Sequence, residues 1–208
     1  MHTPQTIIDI SLSLSPQTIL YPGNPKVEME TVASPGGSQL TKIAFGSHTG
    51  THIDAPKHIG LEKGIGSYEL TRFLGPCRVL DATQENISIS KAFVESKNIM
   101  KDERILFKTN NSIRGFSEFY TDYIFLSSEA AIYLAEKEIT LVGIDYLSVK
   151  QKGSKDNTPH ESFLNKGIPI VEGLNLKEVS EGEYTLVCLP LKFDGLDGSP
   201  CRAVLLHK

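Results

Sequence analysis

Three histidines and a carboxylate fall within eleven residues of this chain, in the run His48-Thr-Gly-Thr-His52-Ile-Asp54-Ala-Pro-Lys-His58. Imidazole nitrogens and carboxylate oxygens are the atoms with which proteins hold borderline-to-hard divalent cations such as zinc, manganese or iron. All four positions are even, and alternate side chains of an extended chain share one face, so the four groups could converge. A helix fails this test, because at about 100° per residue His52 and Asp54 point to nearly opposite sides. Gly50 and Pro56 also oppose a helix, and Ala55, preceding a proline, is biased toward extended backbone. The segment is expected to be strand or extended loop. Three imidazoles and a carboxylate on one buried face would carry a desolvation penalty without a cation. A solvated edge strand would hold such a grouping only by coincidence.

Two distant residues could complete the site. His160 is the only other internal histidine, since His2 and His207 lie at the chain ends. In the first turn of a helix beginning near Thr158, its imidazolium form would be disfavoured by the helix dipole, which leaves the neutral form that binds metals. Otherwise it is an exposed histidine in a polar loop. Glu172 follows the apolar run Ile168-Pro-Ile-Val171, a placement that suits either a site at the mouth of a buried strand or a solvated strand end.

The elements that must position these groups are mostly strands. Short apolar runs recur between Gly, Pro, Asn and Asp. They are Ile7–Leu12, Val27–Val32, Leu40–Phe45, Arg78–Asp81, Arg104–Lys108, Tyr123–Leu126, Thr140–Ile144, Ile168–Val171, Thr185–Leu191 and Ala203–Leu206. Helices are expected at Ser128–Glu138, capped by Ser127 or Ser128, and at Ser90–Asn98. A short third helix would begin with Thr158 as cap, Pro159 in the first position and Glu161 closing a capping box. Many strands and few helices predict a mixed α/β domain whose sheet rolls or closes on itself.

Composition narrows the class further. The chain has 208 residues, 39% hydrophobic and 22% charged, as a single globular domain requires. A net charge of −4 without any basic run disfavours partnership with nucleic acid or an anionic membrane. No apolar stretch approaches the roughly 20 residues of a membrane-spanning helix, and the N-terminus lacks the pattern of a signal peptide. Cys77, Cys188 and Cys201 are odd in number and lack CxxC spacing, which points to reduced, buried thiols and a cytoplasmic location.

The block from His48 to His58 resembles the HxGTHxDxPxH signature of the cyclase/bacterial kynurenine formamidase (arylformamidase-like) family of metal-dependent hydrolases. Asp9-Ile-Ser-Leu, Tyr21-Pro-Gly-Asn-Pro25, Phe125-Leu-Ser-Ser-Glu-Ala-Ala131, Gly143-Ile-Asp145, Ile168-Pro-Ile-Val-Glu172 and Gly198-Ser-Pro-Cys-Arg202 follow in family order. The resemblance implies one domain over residues 1–208 with a swivelling β/β/α fold, a mixed sheet rolled around the site. It also implies a homodimer or higher homo-oligomer, and one or two divalent ions, zinc or manganese. It assigns His48, His52, Asp54, His160 and Glu172 as ligands, with Asp54 or Glu172 able to bridge two ions, and His58 as the catalytic acid/base. The chain departs from the usual family pattern at Tyr21, Ile59, Lys150 and Gly173, which bears on the substrate rather than the metal.

The reaction so implied is hydrolysis of a carbon–nitrogen amide bond by metal-activated water, in a formamide such as N-formylkynurenine or in a cyclic amide or imide. There is no GxSxG elbow to suggest a serine nucleophile. Two other readings compete. His52, Asp54 and His160 formally match the facial triad of an iron oxygenase, which leaves His48, His58 and Glu172 without a role. A catalytically inactive metal- or ligand-binding protein of the same fold would not need His58.

Overall fold

The computed structural model describes residues 6–207. His2, set aside above as a chain end, lies outside them. In chain order the strands are β1 (Thr6–Asp9), β2 (Glu28–Val32), β3 (Leu40–Ala44), β4 (His52–Asp54), β5 (Leu74–Asp81) and β6 (Ser88–Ile89). They continue with β7 (Arg104–Lys108), β8 (Phe125–Leu126), β9 (Leu141–Ile144), β10 (Ile170–Glu172), β11 (Gly182–Val187), β12 (Gly198–Pro200) and β13 (Val204–His207). Four α-helices accompany them: α1 (Lys91–Ser96), α2 (Asn110–Arg114), α3 (Ser128–Glu136) and α4 (Thr158–Leu164).

Nine strands form one curled sheet in the order β1-β13-β11-β5-β7-β9-β10-β4-β12. Its middle, β5-β7-β9-β10, is parallel, and the flanks are antiparallel. Parallel strands need crossovers. Here α1 lies between β5 and β7, α2 and α3 between β7 and β9, and α4 between β9 and β10. The middle strands are buried on both faces, hence the unbroken apolar runs Ile105-Leu106-Phe107 and Leu141-Val142. Alternation divides their side chains between two cores. Ile105, Phe107, Val142, Ile144 and Ile170 pack with the helices, while Val79, Leu106, Leu141, Val171 and Ile53 pack on the other face.

All ten expected strand regions contain strand. Three short strands were not anticipated from apolar runs: β6, β12 and β4, the last carrying two of the candidate ligands. The helix α2 was missed as well. Its five residues, Asn-Asn-Ser-Ile-Arg, have no apolar periodicity, and it is held instead by Asp145 at its N-terminus. Ser127 proves to be the cap of α3, accepting from Ala130 N at 3.2 Å. Helix α4 differs from expectation by one residue. Thr158 is its first helical residue, and its amide is satisfied by Asp156 Oδ1 at 2.9 Å rather than by a capping box. Cys77 and Cys188 are buried free thiols, but Cys201, expected to be buried too, is half-buried beside the edge strand β12. His207 is not a frayed end; it pairs with Thr6 as the last residue of β13.

Candidate metal centre

The site forms at the carboxyl end of the parallel strands, on the side where the helices cover the sheet. Glu172 ends β10 and pairs directly with His52 across the antiparallel β10–β4 ladder, while Ile170 pairs with Asp54. Partners in a ladder share a face, as do residues two apart. The register therefore sets His52, Asp54 and Glu172 on one face and sends Ile53 and Val171 into the opposite core. Helix α4, arriving between β9 and β10, brings His160 over the same three groups.

The expected single extended run from His48 to His58 is only half realised. Strand geometry holds for His52 and Asp54 alone. Gly50 adopts φ +63°, so the chain turns sharply after His48. Pro56–Ile59 is a 3-10 turn ended by Gly60 at φ +86°, because Pro56 cannot donate to a ladder. These two turns, rather than alternation, bring His48 and His58 back to the cluster, with ring centroids 4.2 Å apart. Nor are the four groups equally buried. His52 and Asp54 are buried, His48 is half-buried and His58 is exposed on the pocket wall.

Apart from the His48–Asp54 hydrogen bond at 2.8 Å, the donor atoms stand 3.4–3.7 Å from one another. His52 Nδ1 lies 2.8 Å from the Gly50 carbonyl. A carbonyl only accepts, so Nδ1 carries the proton and Nε2 presents its lone pair. That lone pair faces Asp54 Oδ1 at 3.5 Å and Glu172 Oε2 at 3.4 Å. His160 Nε2 stands 3.4 Å from Glu172 Oε1 and 3.7 Å from Asp54 Oδ2. His52 Nε2 and Asp54 Oδ2 are buried with no hydrogen-bond partner, an arrangement that costs free energy unless a cation sits among them. Ligands about 2.1 Å from a central ion lie about 3.4 Å apart in a tetrahedron, which matches these separations. Asp54 belongs to two groupings close enough to hold an ion, His48/Asp54/His58 and His52/Asp54/Glu172.

Neighbours tune the charges. Burial alone would raise Asp54, but His48 beside it holds the carboxyl below the usual carboxylate range. Burial would lower His48, yet Asp54 drives it up to about 9. Burial lowers His58, reinforced by the charges of His48 and His160 against the pull of Asp54. His160 departs from expectation. Burial opposes its protonation, but the full charge of Glu172 at 3.4 Å outweighs the partial charge of a helix end, and its pKa is raised.

Two positioning groups escaped the sequence reading. Asp197 Oδ2 lies 3.0 Å from His48 Nε2, and its other oxygen accepts from Ser47 Oγ at 2.9 Å. The only signal was an acid immediately before the Gly198-Ser-Pro run. The amide of Val149 donates to Glu172 Oε1 at 2.7 Å, a backbone contact with no side-chain signature. Gly198 is required in turn, since a Cβ there would lie 2.8 Å from the His48 ring.

A cavity of about 510 Å³ opens over these residues, within the size range of small-molecule sites. The floor is His48, His52, His160 and Glu172, and His58, Tyr21, Leu147 and Lys150 are among the wall residues.

The Cyclase family model matches residues 8–151. A kynurenine formamidase of Salinibacter ruber is 34% identical over 204 residues, covering 96% of each chain. That of Bacillus cereus strain ATCC 14579 is also 34% identical, over 95% of this chain and 96% of its own. A solved structure described as a predicted metal-dependent hydrolase from Bacillus stearothermophilus superposes with a TM-score of 0.88 at 33% identity, covering 99% of this chain and 100% of that one. An isatin hydrolase bound to thioisatinate shares the fold at a TM-score of 0.85 and 22% identity, covering 98% of this chain and 92% of its own.

Proposed function

This chain belongs to the Cyclase family, and from that membership we propose that His48, His52, Asp54, His160 and Glu172 hold a divalent metal for amide hydrolysis, with His58 as acid/base. The enzyme is a metal-dependent amide hydrolase: its relatives are kynurenine formamidases, and the fold is that of a structure described as a predicted metal-dependent hydrolase. One observation carries four of the five ligands: buried His52 Nε2 and Asp54 Oδ2 have no hydrogen-bond partner yet face the Glu172 carboxylate and the His160 imidazole at 3.4–3.7 Å, while His48 rests on the family pattern. Zinc is the favoured ion because imidazole and carboxylate suit it, with manganese the next choice. Asp54, shared by two donor groupings, would bridge if two ions bind.

A divalent ion in this set supplies a Lewis acid for the amide carbonyl and lowers the pKa of water. The protein's own groups do the rest. The His52–Gly50 bond fixes the tautomer that directs Nε2 inward. Both His48 nitrogens are hydrogen-bonded, Nδ1 to Asp54 and Nε2 to Asp197, so His48 would join the ligand set by giving up one of these bonds and its proton. His58, on the wall and neutral at neutral pH, takes a proton from the attacking water at an imidazole nitrogen and returns it to the leaving amine nitrogen. The net change is one C–N bond broken and one water consumed.

The substrate is a formamide or a cyclic amide small enough for the cavity. The oxygenase reading is not favoured, because Glu172 lies as close to His52 as to His160 and a facial triad gives it no place. We read residues 1–208 as one hydrolase domain, in keeping with relatives matched over 96% of both lengths. Among the described residues no helix is long and apolar enough to cross a membrane, and the free thiols favour a cytoplasmic location. A homodimer would cover the β2–β3 hairpin, a two-stranded sheet that exposes Met29, Leu40 and Ile43. The test is hydrolysis of a panel of formamides, lactams and cyclic imides before chelation, after chelation, and after return of zinc or manganese. Activity that survives exhaustive chelation refutes the metal-dependent reading.

A further inference from the structure

The cavity is lined by two ammonium groups that the reaction does not use. Lys150 and Lys152 both line the cavity, and both are half-buried. Neither forms a salt bridge with a carboxylate among the described residues, whereas Lys97, Lys101 and Arg202 each do. Lys150 Nζ donates to the neutral Asn157 side chain, which fixes one of its three donors and leaves two. Lys152 Nζ lies 4.9 Å from the centre of the Tyr21 ring, itself a wall residue. The nearby acid Asp156 is engaged elsewhere, accepting from Ser128 Oγ at 2.6 Å and from Thr158 N. Apart from Glu172, Glu161 is the one carboxylate among the described lining residues, and it is exposed on α4.

From this placement we infer that the cavity selects amides bearing a carboxylate, which Lys150 and Lys152 receive while the amide group lies over the histidine floor. The inference rests on the amide-hydrolase reading above and names its substrate class. The Tyr21 ring, which lines the same cavity beside Lys152, suits a flat, unsaturated spacer, because ring faces stack on aromatic surfaces and also hold the Lys152 ammonium in place. A neutral amide of the same shape would leave both ammonium groups unpaired in a half-enclosed cavity.

Paired probes test this directly. The metal-loaded enzyme should show a higher kcat/KM for 3-formamidobenzoate than for formanilide, two formamides that differ by one carboxylate. The double change Lys150→Met/Lys152→Met should reduce that preference by about 10-fold for each ammonium removed. Lys150→Arg, which keeps the charge, should retain most of it. Binding of benzoate against benzamide to the same proteins gives a readout that needs no turnover. If neither formamide is cleaved, the formamide branch of the hydrolase reading fails while the binding ratio still tests the lysines. A charge preference absent from wild-type protein, or unchanged in the double variant, overturns the inference.

Discussion

His48 Nδ1 lies 2.8 Å from Asp54 Oδ1, so a residue from a turn and a residue from a strand form one hydrogen-bonded pair at the centre of the site. The pair governs how the site responds to pH. With Asp54 raising His48 to about 9, the imidazole is protonated at pH 7 when no metal is bound. A ligand must be neutral, so metal uptake releases that proton. Affinity should rise by about 10-fold per pH unit up to pH 9 and level off above it. Calorimetric metal titrations in buffers of different ionisation enthalpy measure the proton directly; a proton count of zero at pH 7 would remove His48 from the ligand set.

The same pair sets the acid–base stability of the metal-free protein. The folded-state pKa of His48 is raised above its usual 6.5, so its stabilisation is fully present below pH 6.5 and lost as pH rises through 9. Melting temperatures of chelated protein should fall over that interval. His48→Gln should flatten the dependence.

Asp54 is common to both candidate donor groupings. Asp54→Ala should abolish metal binding and turnover together. Elemental analysis of the variant at wild-type stoichiometry would contradict this.

His58 separates catalysis from binding. Its side chain has no hydrogen-bond partner among the described residues to hold it for a structural purpose, and the residue lines the pocket, exposed. His58→Ala should keep metal and fold and lose on the order of 10²–10⁴-fold in kcat. Loss of metal alongside activity would make it a ligand within the His48/Asp54/His58 grouping.

Asp145 tests the scaffold rather than the chemistry. Its buried carboxylate accepts from the Thr109 and Ser112 amides at 2.8 and 3.1 Å, and from their hydroxyls at 2.7 and 2.6 Å. Burial pushes it up to about 6 against those four donors. Asp145→Ala should strand them and cost about 3 kcal/mol or more in urea unfolding.

Much of the site was legible because metal chemistry restricts residue types. Few side chains suit the proposed ion, and four imidazoles and carboxylates stand within eleven residues, so the cluster announces itself without a structure. The strands were legible for a similar reason. A buried strand needs consecutive apolar residues, as in Arg104–Lys108, whose bounds in the fold are those expected from the sequence.

Convergence was another matter. Parity in the sequence placed His52 beside Asp54 correctly, since both lie in one strand, but it could not place His48 or His58, which return through a Gly50 turn and a Pro56 turn. Glu172 and His160 lie more than a hundred residues away. They join the site because β10 pairs with β4 in a register that sets Glu172 opposite His52, and because the crossover α4 lands above them. Asp197 could not be found by residue type at all; it is one of many acids, distinguished only by lying 3.0 Å from His48. Residue chemistry is local and can be read from the chain. Which distant residues share a face depends on strand pairing and crossover, and that is settled only when the sheet closes its two cores.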